Sequence, residues 1–137
     1  MDQKQRYVFV YGTLLRGEAN HARLKHAELA GEQASLLGAS LVDTGRGYPA
    51  MLLGGAGAVA GEVYEIDERT LRSLDELEDY YGEGDRRNEY ERIEVEVDVE
   101  AGERRIRAWT YVYRSAPANA VPIPAGDWRA YRRSLAG

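Results

Sequence analysis

The 137-residue sequence contains no cysteine, which excludes disulfides, thiolate metal sites and thiol nucleophiles together and fits a reducing, cytoplasmic setting. Histidine is almost as scarce. His21 and His26 stand five apart, not the four that would stack two ligands on one helical face, so no metal site is expected. Positive charge is not in excess: 18 lysines and arginines against 23 acids give a net charge of −5, which argues against a nucleic-acid partner. Long apolar runs are missing as well. The opening MDQKQRYVFVYG is polar and then apolar for only five residues, short of a secretory core or a membrane span. What remains, at 44% hydrophobic and 30% charged residues, has the length and balance of a single globular domain, residues 1–137.

Hydrophobic periodicity supplies the elements. YVFVY (7–11) is aromatic and β-branched and stops at Gly12, as a buried strand does. GTLLRGEANHARL turns into a short helix, and ASLLGASLV (34–42) reads as a strand. After a turn through Gly45, Gly47 and Pro49 comes a short apolar run to Leu53. A separate strand follows over Ala58–Ile66. Asp67 suits an N-cap, with Glu68 in the first turn and leucines at helical spacing to an end near Gly82. In RIEVEVDVEAGERRIRAWTYVYR (92–114), Ile93, Val95, Val97 and Val99 alternate with acids, the period of a half-buried strand. A turn at Ala101-Gly102 would set Glu96 beside Arg107 and Asp98 beside Arg105. An extended connector, SAPANAVPIP, leads to a closing helix capped by Asp127. Strands at both ends of a central helix do not form a regular βαβ series. The class is therefore α+β, a mixed or antiparallel sheet or barrel with a few helices.

The stretch SLDELEDYYG (73–82) crowds Asp75, Glu76, Glu78 and Asp79 into five positions. At about 100° per residue from Leu71, Leu74 falls near 300° and Leu77 near 240°, while Glu78 falls near 340°, inside the leucine stripe. Glu76 faces away, and Asp75 and Asp79 sit on the flank. A carboxylate on a buried face is costly unless paired or neutral. Glu78 is thus either the hidden half of a salt bridge or a group whose pKa is raised for proton transfer.

The glycine loops are less specific. Gly12 to Gly17 has the spacing of a phosphate loop, but Glu18-Ala19 follows where lysine and a hydroxyl are needed, which excludes nucleotide binding there. Gly55 to Gly61 precedes a strand instead of following one. No serine or threonine has a histidine placed to activate it. The strand end Tyr11-Gly12-Thr13-Leu14 is either a plain tight turn or an exposed set of backbone amides able to hold a small anion.

Val8-Phe-Val-Tyr-Gly-Thr-Leu-Leu-Arg-Gly17 with Asn20-His21 resembles the N-terminal signature of the γ-glutamylcyclotransferase family, closest to its γ-glutamylamine branch and bacterial relatives. Gly47-Tyr48-Pro49 is similar to a second block. Gly61-Glu62-Val63-Tyr64, running on through Leu74–Glu78, is similar to a third. Tyr90-Glu91-Arg92 with Tyr111–Tyr113 is similar to a fourth. The order and spacing of the blocks carry the resemblance, which reaches to about Trp128. It implies a small mixed β-barrel flanked by helices, and an acyltransferase that cleaves a γ-glutamyl amide with formation of 5-oxoproline. No cofactor is implied, and the partner is a small γ-glutamyl substrate. The family's catalytic glutamate falls on Glu78 and its substrate-anchoring loop on Tyr11, Gly12, Thr13 and Leu14. Tyr90 and Tyr113 become substrate-binding candidates, and Arg92 is expected to pair with an acid elsewhere. The alternative is a non-catalytic module holding a γ-glutamyl or other small carboxylate on the same fold. Two departures stand out: Asp79 where relatives often have glycine, and a charged loop at 82–89 (GEGDRRNE) that shorter members lack.

Overall fold

Strand β1 (Arg6–Val10) lies between two others in the computed structural model, which describes residues 6–136. The polar opening, read above against a leader or a membrane span, falls largely outside those residues. β1 runs antiparallel to β3 (Pro49–Ile66) with Val8 opposite Tyr64, and parallel to β5 (Arg104–Val112) with Val8 opposite Trp109. β5 pairs with β4 (Glu91–Val99), β4 with β2 (Glu28–Asp43), and β2 returns to β3. The five strands close into a mixed barrel, and β6 (Val121–Ile123) extends the open end of β2. The α+β class and the barrel with flanking helices are as expected. Closure satisfies the strand edges that an open sheet of this size would expose.

The apolar run to Leu53 and the strand at 58–66 are one element, contrary to expectation. β2 and β3 form a long hairpin in which Leu37 faces Ala58 and Ala39 faces Leu53, so residues 54–57 bulge out of the ladder. Gly54 and Gly55, at φ of 112° and 82°, supply the left-handed backbone that the bulge needs. Glycine also permits β3 to press on β1: a Cβ at Gly61 would lie 2.1 Å from the Val10 carbonyl oxygen.

The β4–β5 hairpin has the register read from the alternation, with Glu96 opposite Arg107 and Asp98 opposite Arg105. Val97 and Val99 are fully buried. Arg105 pairs with Asp98 at 3.0 Å, whereas Arg107 reaches diagonally to Glu94 at 3.2 Å. The buried core includes Val8, Phe9, Leu41, Met51, Val59 and Val63, drawn from both faces of the strands.

Three helical pieces flank the barrel. The segment after Leu15 yields only a single 3₁₀ turn, His21–Leu24. Helix α1 (Glu68–Leu77) is capped by Asp67, whose carboxylate accepts from the Thr70 amide at 2.7 Å, and it buries Leu71 and Leu74. Helix α2 (Trp128–Ala136) is capped by Asp127 through the Ala130 amide at 3.1 Å. Glu62, only 1% exposed, anchors α2: it meets Arg129 at 3.2 Å and accepts from the Arg16 amide and the Tyr64 hydroxyl, each at 3.0 Å. Among the described residues no helix is long and apolar enough to cross a membrane.

Candidate active site

Helix α1 stops at Leu77, not near Gly82, and the way it stops orients Glu78. The Glu78 amide still donates to the Leu74 carbonyl at 2.9 Å, keeping this residue in the last turn. Asp79 then takes φ of 50°, its amide donates to Glu76 at 3.2 Å, and the Tyr80 amide reaches back to Asp75 at 2.9 Å. This pair of reversed bonds is the Schellman ending, whose left-handed position favours glycine. Asp79 occupies it here, which gives a physical reason for the glycine that the family resemblance leads one to expect at this place.

The turn directs Glu78 into a cavity of about 190 Å³, well below the size of drug-sized pockets and suited to a ligand like a single amino acid. Its walls include Tyr11, Gly12, Thr13 and Leu14 from the end of β1, Tyr48-Pro49 from the start of β3, and Glu89-Tyr90 before β4. The Glu78 carboxylate has no hydrogen bond or ion pair among the described residues. Of the two readings of a carboxylate on the buried face, the salt bridge is therefore not what is found. Burial first, then the negative charge of Glu89 and that of Asp79, push its pKa from the ordinary 4.5 up to about 8, with Arg23 pulling weakly the other way.

The β1 exit is held rigidly. Leu15 N–H bonds the Gly12 carbonyl at 3.1 Å, and Asn20 ties Thr13 twice, backbone to backbone at 2.8 Å and Nδ2 to Oγ1 at 2.9 Å. His21 Nδ1 meets the Leu14 carbonyl at 2.9 Å. The amides of Gly12, Thr13 and Leu14 donate to no protein acceptor among the described residues. Gly12 is required by close approach: a Cβ there would stand 2.8 Å from both Cδ and Cγ of Pro49. The glycine and the Gly47-Tyr48-Pro49 block thus act as one surface.

The tyrosines divide. Tyr11 donates to the Tyr111 carbonyl at 2.6 Å and Tyr90 to the Pro49 carbonyl at 2.7 Å; both line the cavity, and burial raises both phenol pKa values. Tyr113 is not on the cavity wall. It packs edge-on against Tyr90, with centroids 4.6 Å apart, and donates to Glu89 at 2.5 Å. Arg92 pairs with Asp75 at 2.6 Å, and Asp75 also accepts from Tyr111 at 2.7 Å, the structural role anticipated for that arginine.

Sequence reasoning missed Glu89. It stood at the end of the charged 82–89 loop, where the neighbouring acids and arginines hid it. The signal was its place just before Tyr90-Glu91-Arg92. In the structure Tyr48 and Tyr113 both donate to its Oε2.

Comparison with known proteins identifies the family and the fold. A family profile described as "Gamma-glutamyl cyclotransferase, AIG2-like" matches residues 8–130. A relative from Niallia circulans, named gamma-L-glutamyl-butirosin B gamma-glutamyl cyclotransferase, is 48% identical over 91% of this chain and 76% of its own length. A putative gamma-glutamylcyclotransferase from Vibrio cholerae is 40% identical over 90% of this chain and 96% of its own. Among solved structures, an AIG2-like protein from Mus musculus matches with a TM-score of 0.69 at 32% identity, covering 85% of this chain and 82% of its own. YkqA from Bacillus subtilis matches at 0.74 and 30% identity over 98% of this chain, which spans only 44% of that longer protein.

Proposed function

Because the chain belongs to the AIG2-like γ-glutamyl cyclotransferase family, we propose that it releases an amine from a γ-glutamyl amide by lactam closure, with Glu78 moving the proton. The observation that carries this reading is an unpaired carboxylate with a pKa near 8 facing a cavity the size of a glutamyl unit.

In the reaction, the substrate's α-amino nitrogen attacks its own γ-carbonyl carbon. One C–N bond forms, the amide C–N bond breaks, and the products are 5-oxoproline and the free amine. The α-nitrogen loses a proton and the leaving nitrogen gains one. Glu78, as a carboxylate, takes the first and returns it, so the carboxyl ends as it began. This count starts from the free α-amine; a substrate bound as the ammonium first gives one further proton to solvent, and a carboxyl with a pKa of about 8 can take and return the transferred proton near neutral pH. Nucleophile and electrophile share one molecule, so no enzyme nucleophile is required; folding the substrate in the cavity supplies orientation. Among the described residues no lysine or arginine lines the cavity. The substrate α-carboxylate must then rest on neutral donors, and the unused amides of Gly12, Thr13 and Leu14 provide them.

The test is Glu78→Gln assayed for 5-oxoproline release. General acid–base groups typically contribute about 10²–10⁴-fold, so a loss of that order is expected. Full activity in the variant would remove Glu78 from the chemistry.

A further inference from the structure

Glu62 is a buried acid that the chemistry at Glu78 does not use, with a side chain only 1% exposed. A carboxylate so deep loses its hydration, and an ion pair compensates only when the remaining acceptor positions are filled. The β1 exit fills them. Oε1 accepts from the Arg16 amide and the Tyr64 hydroxyl, each at 3.0 Å, while Oε2 meets Arg129 at 3.2 Å. The same guanidinium donates through Nη1 to the Arg16 carbonyl at 2.9 Å. One ion pair thus grips a single loop residue by both its backbone N–H and its C=O. Helix α2, which carries Arg129, adds a second tie to this loop, from Arg132 to Glu18 at 2.5 Å.

The grip reaches the cavity through the backbone. The Glu18 amide donates to the Leu15 carbonyl at 2.9 Å, so that, with the bonds described above, every carbonyl from Gly12 to Arg16 is engaged. In a planar trans peptide the N–H points opposite to the carbonyl of the preceding residue. Holding the Gly12 and Thr13 carbonyls therefore turns the Thr13 and Leu14 amides the other way, and both residues line the cavity. Pro49 blocks one end of this run at Gly12, and the Glu62–Arg129 pair closes the other at Arg16.

We infer that Glu62 and Arg129 are positioning residues for the substrate α-carboxylate: they lock the Arg16 backbone and, through it, the direction of the Thr13 and Leu14 donors. The inference rests on the placing of that carboxylate on the loop amides proposed above. Two other roles compete with it: a through-space pull of the Arg129 charge on an anion, and a strut that only stabilises the barrel. Arg129→Lys separates the three. Lysine keeps the charge and the pairing with Glu62, but a compact ammonium lacks the planar fork that spans Glu62 and the Arg16 carbonyl together.

5-Oxoproline retains the α-carboxylate and serves as the probe, with its primary carboxamide as the neutral counterpart. Each is titrated into the nitrogen-15-labelled intact chain while NMR follows the Gly12, Thr13 and Leu14 amides. Wild type should bind the carboxylate at least about 10-fold more tightly than the carboxamide, the scale of a hydrogen bond to a charged group. Arg129→Lys should melt within about 3 °C of wild type, yet bring the two affinities within about three-fold of each other. In turnover of a γ-glutamyl amide the same variant should raise KM about 10-fold and leave kcat within about three-fold. A wild-type preference retained by Arg129→Lys would assign the effect to charge and overturn the inference, while the anion-holding loop stands. Loss of folding in Arg129→Lys would make the pair a strut and overturn it equally. A wild type that does not distinguish the two ligands would overturn the placing of the carboxylate and this inference with it. Lactam formation, read separately by 5-oxoproline release, would survive each of these results.

Discussion

Replacing Glu78 by glutamine should stabilise the protein near neutral pH while removing its activity. The wild-type carboxyl holds its proton at about 8 when folded and at about 4.5 otherwise. A raised folded pKa means that the folded state binds the proton more tightly. The contribution is fully present below about 4.5 and is lost as pH rises to about 8. At about 1.4 kcal/mol per pH unit, the span from 4.5 to about 8 sets an upper bound of roughly 5 kcal/mol for ionising this group in the fold. The carboxyl opens on a cavity that water enters, so about 1–3 kcal/mol is the reasonable expectation after screening. Glutamine keeps a similar shape and never ionises. Thermal unfolding followed by circular dichroism should therefore give Glu78→Gln a midpoint about 3–10 °C above wild type at pH 8–9, and the two should converge near pH 4. In parallel, carbon-13 NMR of labelled glutamate carboxyls should show one resonance titrating near 8 that is missing from the variant. A variant less stable than wild type at pH 8 would mean that Glu78 makes an ion pair the fold needs. Identical stability profiles from pH 5 to 9 would mean that its pKa is ordinary, and in either case the shuttle fails.

Further perturbations separate the parts of the site. Gly12→Ala should lose most activity and about 1–3 kcal/mol of stability, because the added methyl would stand 2.8 Å from Pro49; wild-type kinetics would show that the β1 exit does not shape the cavity. Asp79→Gly should add about 0.5–1 kcal/mol by relieving the left-handed backbone, and should move the acidic limb of kcat/KM to lower pH by removing a negative neighbour of Glu78; an unmoved limb would refute the coupling. Asp75→Asn should cost about 3 kcal/mol in urea unfolding by stranding Arg92, while a loss under 0.5 kcal/mol would show that the Asp75–Arg92–Tyr111 group is ornamental. In the wild type, kcat/KM should climb with pH through a limb near 8, since Glu78 must lose its proton before it can accept one.

The legible parts of this molecule were those decided locally. Alternation fixed the β4–β5 register because one face of that hairpin is buried and a one-residue slip would expose Val97 and Val99. Asp67 and Asp127 announced their helices through a side chain that needs only the next turn. Glu78 stood out because helical period places it among leucines, and that holds even though the helix ends one residue before it. The parts decided at a distance were hidden. The β2–β3 hairpin reads as separate pieces since its bulge lies at glycines, which carry no hydrophobic signal. The early stop of α1 depends on Asp79 adopting a backbone normally left to glycine. Tyr113 and Glu89 exchange expected places, one off the cavity wall and one on it, because they lie just outside β5 and β4, in irregular segments whose direction no local periodicity records.

The central claim is that a substrate closes on itself while one carboxylate carries the proton. It is tested most directly by mass spectrometry on the wild-type protein given γ-glutamyl amides and their α-N-acetylated counterparts. The account predicts 5-oxoproline and free amine in equal amounts from the first set, and neither product from the second, whose nucleophile is blocked. Release of glutamate in place of 5-oxoproline, or turnover of the blocked substrates, would contradict it.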